Sequence, residues 1–197
     1  MIQRPSPLNF VLYSQLPQLL TGPLYIGLQA DGTRLMERRI QAITQSPYYH
    51  VGFVGQSPAG LMFAESTLPK ADVVPFGPRV QRLSGRIDIF RLIPEIDERA
   101  VWRWACQCSG EWYGVQDLIE VYLDRYRGHY VPVVPNSDIP RGCDRDCSCQ
   151  VHAALRVHGF PLLWPTELPY DAVIAPSDLC EQTKPQCFRY ICSPTFH

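Results

Sequence analysis

Two rhythms of apolar and polar residues divide this chain. Residues 23–30, PLYIGLQA, are mostly apolar and predict a strand. Residues 33–45, TRLMERRIQAITQ, place Leu35, Met36, Ile40 and Ile43 at helical spacing, with Thr33 near the start. Ser46–Pro47 ends that helix, because a residue before proline is pushed out of helical geometry. In YYHVGFVGQ, residues 48–56, Val51 and Phe53 alternate with His50, Gly52 and Val54, which predicts a strand. Gln56–Gly60 reads as a turn, and GLMFAES, residues 60–66, returns as a hairpin partner. GRIDIFRL, residues 85–92, predicts a third strand, with Ile87, Ile89 and Phe90 apolar and Arg86, Asp88 and Arg91 on the polar side.

The rhythm then changes to that of helices. EIDERAVWRWACQC, residues 95–108, aligns Ile96, Ala100, Val101, Trp104 and Ala105 on one stripe. A second helical run is VQDLIEVYLDRY, residues 115–126, and a loop rich in Gly, Pro and Asp covers 128–145. A third helix, CSCQVHAALRVHG, residues 147–159, has its stripe at Val151, Ala154 and Leu155, with Gly159 at the C-terminal cap position. The tail is punctuated by proline, with AVIAPSDL and FRYI as short strands. A strand block beside a helix block predicts an α+β domain, and no linker divides residues 1–197.

Composition narrows the function classes. A length of 197 residues suits one domain with a sizeable core. A net charge of -1 without a basic run speaks against nucleic acid as a partner. No apolar stretch reaches the length of a membrane helix, so no integral membrane segment is expected. The start, MIQRPSPLNFVLYSQ, lacks the pattern of a secretory signal, which predicts a soluble chain made in the cytoplasm or carried in a larger particle. The eight cysteines form two C-x-C pairs but no C-x-x-C, so a zinc ribbon is not expected. Most should be free thiols; Cys180, Cys187 and Cys192 are the candidates for disulfides in an oxidising compartment.

Asp146-Cys147-Ser148 opens the third helix. A cysteine there faces unpaired backbone N–H groups and the positive end of the helix dipole, both of which favour the nucleophilic thiolate. The same N–H groups can bind an oxyanion, and Asp146 can cap the helix. Cys143 and Cys149 are rivals for the role, and an inert thiol fits the local sequence equally well. His50, on the strand YYHVGFV, suits a general base if the fold joins strand to helix; His129, His152 and His158 compete, and a structural histidine is the bland alternative. Glu65 in FAES can reach His50 if the two strands pair, and would orient its imidazole; alone it reads as a solvated strand residue.

The joint order of these fragments carries a resemblance. GEWYG followed by RDCSCQVHAALRVHGFPLLWP resembles the NlpC-type papain-like peptidases, with Gly110, Tyr113, Asp146, Cys147, Ser148, Gly159 and Pro165 at the motif positions. The family usually has Gly after Asp-Cys-Ser, or Glu in its permuted branch; this chain has Cys149. The histidine strand here precedes the cysteine, which is similar to the circularly permuted, YiiX-like branch: His50-Val51-Gly52, then Ala64-Glu65-Ser66, then IDIFRL, then the cysteine helix, and late IAPSDL. The resemblance runs from about residue 23 to about residue 190. It implies a permuted papain-like fold, a small antiparallel sheet packed against a helix bundle carrying the nucleophile. It also implies a cysteine hydrolase in which Cys147 attacks, His50 is the base, Glu65 orients it, and Tyr113 and Ser148 serve the oxyanion or substrate, without metal or cofactor.

The wider family implies cleavage of amides in peptidoglycan stem peptides, which would fit a bacterial or phage source. The resemblance also permits a thioesterase or acyltransferase acting on lipid-linked acyl groups; Phe160, Leu162, Leu163 and Trp164 could form an acyl surface, although a core role suits them better. A non-catalytic binding or structural module is the third alternative. The sequence leaves the oligomeric state open.

Overall fold

The computed structural model describes residues 8–83, 85–113, 147–160, 176–179 and 185–196. They form an α+β structure on one seven-stranded sheet, in the order β1-β7-β6-β2-β3-β4-β5. The strands are β1 (Phe10–Leu12), β2 (Leu24–Ala30), β3 (Tyr48–Ser57), β4 (Gly60–Ser66), β5 (Ala71–Pro75), β6 (Arg86–Leu92) and β7 (Phe188–Thr195). Every pair is antiparallel except β1 with β7, which is parallel. The helices are α1 (Leu16–Leu19), α2 (Leu35–Thr44), α3 (Phe76–Gln81), α4 (Glu98–Gln107) and α5 (Cys147–Val157).

The small antiparallel sheet expected from the sequence is therefore larger and mixed. β1 and β5 are short and show no clear alternation, yet both extend it. FRYI falls in β7, while Pro176–Leu179 of AVIAPSDL form a 3-10 turn. The expected helix at 115–126 and the loop at 128–145 lie outside the described residues.

β2 is buried along its whole length because helices cover both faces of the sheet. One face packs Leu24, Ile26, Leu28, Val51, Phe53 and Phe90 against α4 and α5 through Val101, Ala105, Val151, Ala154 and Leu155. The other packs Tyr25, Val54, Phe63, Ile87 and Ile89 against α1 and α3 through Leu16, Phe76 and Val80. A strand covered on both sides reads as a continuous apolar run, as PLYIGLQA does.

Local signals set the helix ends. Asp97 caps α4 by accepting from the Ala100 N–H at 2.9 Å. Gly159, at φ 76°, follows α5 in the left-handed conformation expected of a C-terminal cap. α2 begins with Glu37 accepting from the Arg34 N–H at 2.8 Å and ends at Gln45, at φ 49°. Its stripe is only partly used: Leu35 and Met36 stay 69% and 51% exposed, while Thr44 at the other end is buried. The helix connects the adjacent ends of β2 and β3, and neither apolar core includes a residue from it.

One close approach shapes the strand that carries His50. Gly52 lies opposite Gly27 on β2 and Glu65 on β4. A Cβ on Gly52 would sit 2.6 Å from the Ala64 carbonyl oxygen and 2.8 Å from the Phe63 ring. Gly52→Ala is therefore expected to destabilise the protein by about 1–3 kcal/mol, the usual cost of overpacking. Urea unfolding measures it, and a variant as stable as the parent would show that β4 yields without cost.

Candidate active site

The antiparallel register brings the end of β2, the start of β3, the end of β4 and the starts of β5 and β6 to one end of the sheet. His50 and Glu65 meet there. Glu65 opposes Gly52, so it lies on the same face as His50 and diagonal to it, while the Phe63 ring fills the space above Gly52. His50 Nε2 lies 2.7 Å from Glu65 Oε2. The His50 ring stands edge-on to Phe63, with centroids 6.5 Å apart.

Cys147 is the first residue of α5, which packs against β3 from the α4–α5 face. Its side chain is buried at this end of the sheet, close enough to His50 for its charge to act on the imidazole. Nε2 of His50 is engaged by Glu65, which leaves Nδ1 as the nitrogen open to another partner. Cys147, His50 and Glu65 thus cluster, although the helix lies far in sequence from the hairpin that carries the other two. Ser148 is buried beside Cys147. Tyr113 is held at the same end of the sheet by its N–H, which donates to the Pro69 carbonyl at 2.9 Å. Asp146, Cys143 and His129 lie outside the described residues, as does the side chain of Cys149. His152 and His158 sit further along or beyond α5.

Burial alone would lower the pKa of His50, but the charge and hydrogen bond of Cys147, then those of Glu65, carry it up to about 10. Burial alone would raise that of Glu65; the hydrogen bonds and charges of His50 and then Arg79 hold it down at about 2. Both shifts favour the charged forms.

Two partners of this cluster went unpredicted. Arg79, from the last turn of α3, clasps Glu65: its Nε donates to Oε1 and its Nη2 to Oε2, the latter at 3.0 Å. Gln29 on β2, opposite His50, donates to Glu65 Oε2 at 3.4 Å. Gln29 breaks an apolar run with an amide, a signal legible in the sequence. Arg79 sits in FGPRVQ, where Gly and Pro hide a short helix.

Other expectations change. Cys187 and Cys192 do not pair with each other, because they lie in the cores on opposite faces of the sheet, and Cys180 lies outside the described residues. Burial, followed by the charge of Asp88, pushes the Cys192 thiol up to about 12. Phe160 takes the core role and not that of an acyl surface: it is buried, with its ring 5.7 Å from that of Phe188. Leu162, Leu163 and Trp164 lie outside the described residues. Asp88, expected on a solvated side, is fully buried. Among the described residues no helix is long and apolar enough to cross a membrane.

No family model matches the chain, and no curated protein matches it in sequence. Among solved structures it is similar to the crystal structure of the metalloprotein YiiX from Escherichia coli O157:H7, with a TM-score of 0.57 over 89% of this chain and 98% of that one, at 14% identity. The likeness is one of fold. The described residues do not fit a metal ion at this site: no group of three His, Cys, Asp or Glu side chains is placed to hold one. The position behind Glu65 is taken by the Arg79 guanidinium, whose charge opposes a second cation.

Proposed function

We propose that this chain is a cysteine hydrolase of the circularly permuted, papain-like NlpC type, acting through an acyl-enzyme on Cys147. One observation carries the reading: the thiol at the start of α5 lies close enough to act on a histidine whose Nε2 is held by a carboxylate at 2.7 Å. Nucleophile, base and orienting group then stand in one line.

The chemistry follows from that order. His50 Nδ1 takes the proton of Cys147, and the imidazolium is stabilised by Glu65. The thiolate attacks the carbonyl carbon, and the C=O electron pair moves onto oxygen. Backbone N–H groups in the first turn of α5 lack intrahelical partners and receive the oxyanion; the Ser148 and Tyr113 hydroxyls are further donors. The tetrahedral species collapses as the bond to the leaving group breaks, and the His50 proton goes to that group. Water, deprotonated by His50, attacks the thioester, releases the acid and returns the proton to sulfur.

The motif resemblance favours an amide substrate in peptidoglycan stem peptides. A second reading, hydrolysis or transfer of acyl groups from thioesters or lipids, is favoured by exposed apolar side chains at the same end of the sheet: Leu68, 61% exposed, and Trp112, 60% exposed. Turnover of muropeptide amides against acyl thioesters separates the two.

The direct test is the rate of Cys147 alkylation by iodoacetamide across pH, read by peptide mass spectrometry, in the parent and in His50→Ala. The parent is expected to react well below neutral pH. His50→Ala should move the onset to that of an ordinary thiol, about pH 8.5. Equal curves typical of an ordinary exposed thiol would sink the dyad and leave a non-catalytic module.

A further inference from the structure

We propose that Arg79 is a positioning residue of this site, the resident countercharge that fixes the Glu65 carboxylate behind His50. This role rests on the reading of Cys147, His50 and Glu65 as the reacting set and adds a member that neither motif nor spacing marks.

The geometry is that of a fork. Nε of Arg79 donates to one Glu65 oxygen and Nη2 to the other, the latter at 3.0 Å. Two parallel bonds fix the plane of a carboxylate as well as its position. A single hydrogen bond from His50 would leave the group free to rotate. The fork has a firm base, because Phe76 and Val80 of α3 are buried in the core on that face, on either side of Arg79 in sequence. Oε2 also accepts from His50 at 2.7 Å and from Gln29 at 3.4 Å, so both oxygens are engaged.

Charge gives the second reason. Glu65 is 4% exposed. Once the Cys147 proton lies on His50, thiolate, imidazolium and carboxylate sum to one negative charge in a nearly closed site. Arg79 brings that sum to zero, as two ion pairs side by side. A buried charge without compensation is costly, so the site without Arg79 relieves itself by protonating Glu65 or turning it away. Other charged or titratable groups surround the pair: Asp72 on β5 lies opposite Glu65 in the register, and Glu37 on α2 and Tyr49 on β3 lie close enough to act on Arg79. Asp72 is exposed and Glu37 carries the same sign as Glu65, so neither replaces Arg79. Arg79 also draws off part of the pull of Glu65 on His50. Its service is thus to keep the carboxylate ionised and aligned over a wide pH range, and not to make His50 more basic.

Glu65 is held low, so its support of His50 is present above that low value and is lost as pH falls through it. Removing Arg79 moves the loss to higher pH. Cys147 alkylation by iodoacetamide, followed from acid to neutral pH, reads this without a substrate. In Arg79→Gln the acid limb is expected to move up by about 1–3 pH units, the usual effect of an adjacent arginine on a carboxyl group. Arg79→Lys, which keeps the charge and loses the fork, should fall between the two. In a Glu65→Gln background, Arg79→Gln should add nothing. An Arg79→Gln curve that overlays the parent in a folded protein overturns the proposal. An equal loss with and without Glu65 also overturns it, because it marks a structural role. If Arg79→Gln does not fold, Arg79→Lys decides, and a curve identical to the parent rejects the fork. A parent whose Cys147 is slow and indifferent to His50→Ala would reveal a different failure, that of the hydrolase reading itself.

Discussion

Replacing Cys147 by serine is expected to reduce turnover by about three to six orders of magnitude, the range seen when a nucleophile is removed from a set that acts as one unit. The two side chains have nearly the same shape, so chemistry alone sets the size of the loss. A thiol gives up its proton to a histidine readily, whereas an alcohol needs a base assisted throughout the transition state. His50 is suited to the thiol, because its pKa is driven up to about 10 against burial, with the Cys147 beside it as the larger favourable cause. In the serine variant the Cys147 charge that raises the His50 pKa is gone, so the imidazole is a weaker base for an alcohol that is itself far less acidic than a thiol. The fold should survive, because Ser is a favoured residue at a helix start and position 147 meets the core from the first turn of α5. Mass spectrometry after a pulse of an activated acyl ester gives the readout. The parent should carry one acyl group on Cys147, and the serine variant none. An acyl group retained on serine at comparable rate, or found on Cys106, the partly exposed thiol, would reject Cys147 as the nucleophile.

How much of this site the sequence shows depends on how local each contact is. His50 and Glu65 are legible together because a two-residue turn joins their strands and a period of two puts both on one face. Cys147 is legible as the start of a helix, from the stripe Val151, Ala154 and Leu155 and the glycine cap. The meeting of that helix with β3 is not, because many residues separate them and no local pattern encodes the encounter; only the order of the motifs hints at it. Arg79 is hidden for a different reason. Its helix is six residues long and contains Gly77 and Pro78, so propensity argues against it, and packing of Phe76 and Val80 forms it instead. α2 shows the reverse error. Leu35 and Met36 have helical spacing, but spacing sets which residues share a face and does not say that a layer covers it.

Asp88 supplies the largest expected effect on stability. In IDIFRL it has the look of a solvated position, yet it is fully buried and accepts from Arg86 Nε at 2.7 Å and Nη2 at 3.0 Å, from the Tyr48 hydroxyl at 3.1 Å and from the Ser193 hydroxyl at 2.5 Å. Arg86 in turn reaches Asp31 at the end of β2. One carboxylate thus ties β6 to β3 and β7 and, through arginine, to the turn before α2. Asp88→Ala leaves the Arg86 guanidinium with half its compensation and strips two buried hydroxyls of an acceptor. Breaking a buried pair from one side costs about 3–5 kcal/mol. The double change Arg86→Met with Asp88→Leu removes both charges and should recover much of that loss, because an apolar pair of similar volume carries no desolvation cost. Urea unfolding of parent, single and double variants measures the coupling. A single variant within about 1 kcal/mol of the parent would show the network to be surface-like in energy. The site should feel the break as well: Tyr48 lies two residues before His50 on β3, so loosening its hydroxyl loosens the strand that aims the imidazole at Cys147.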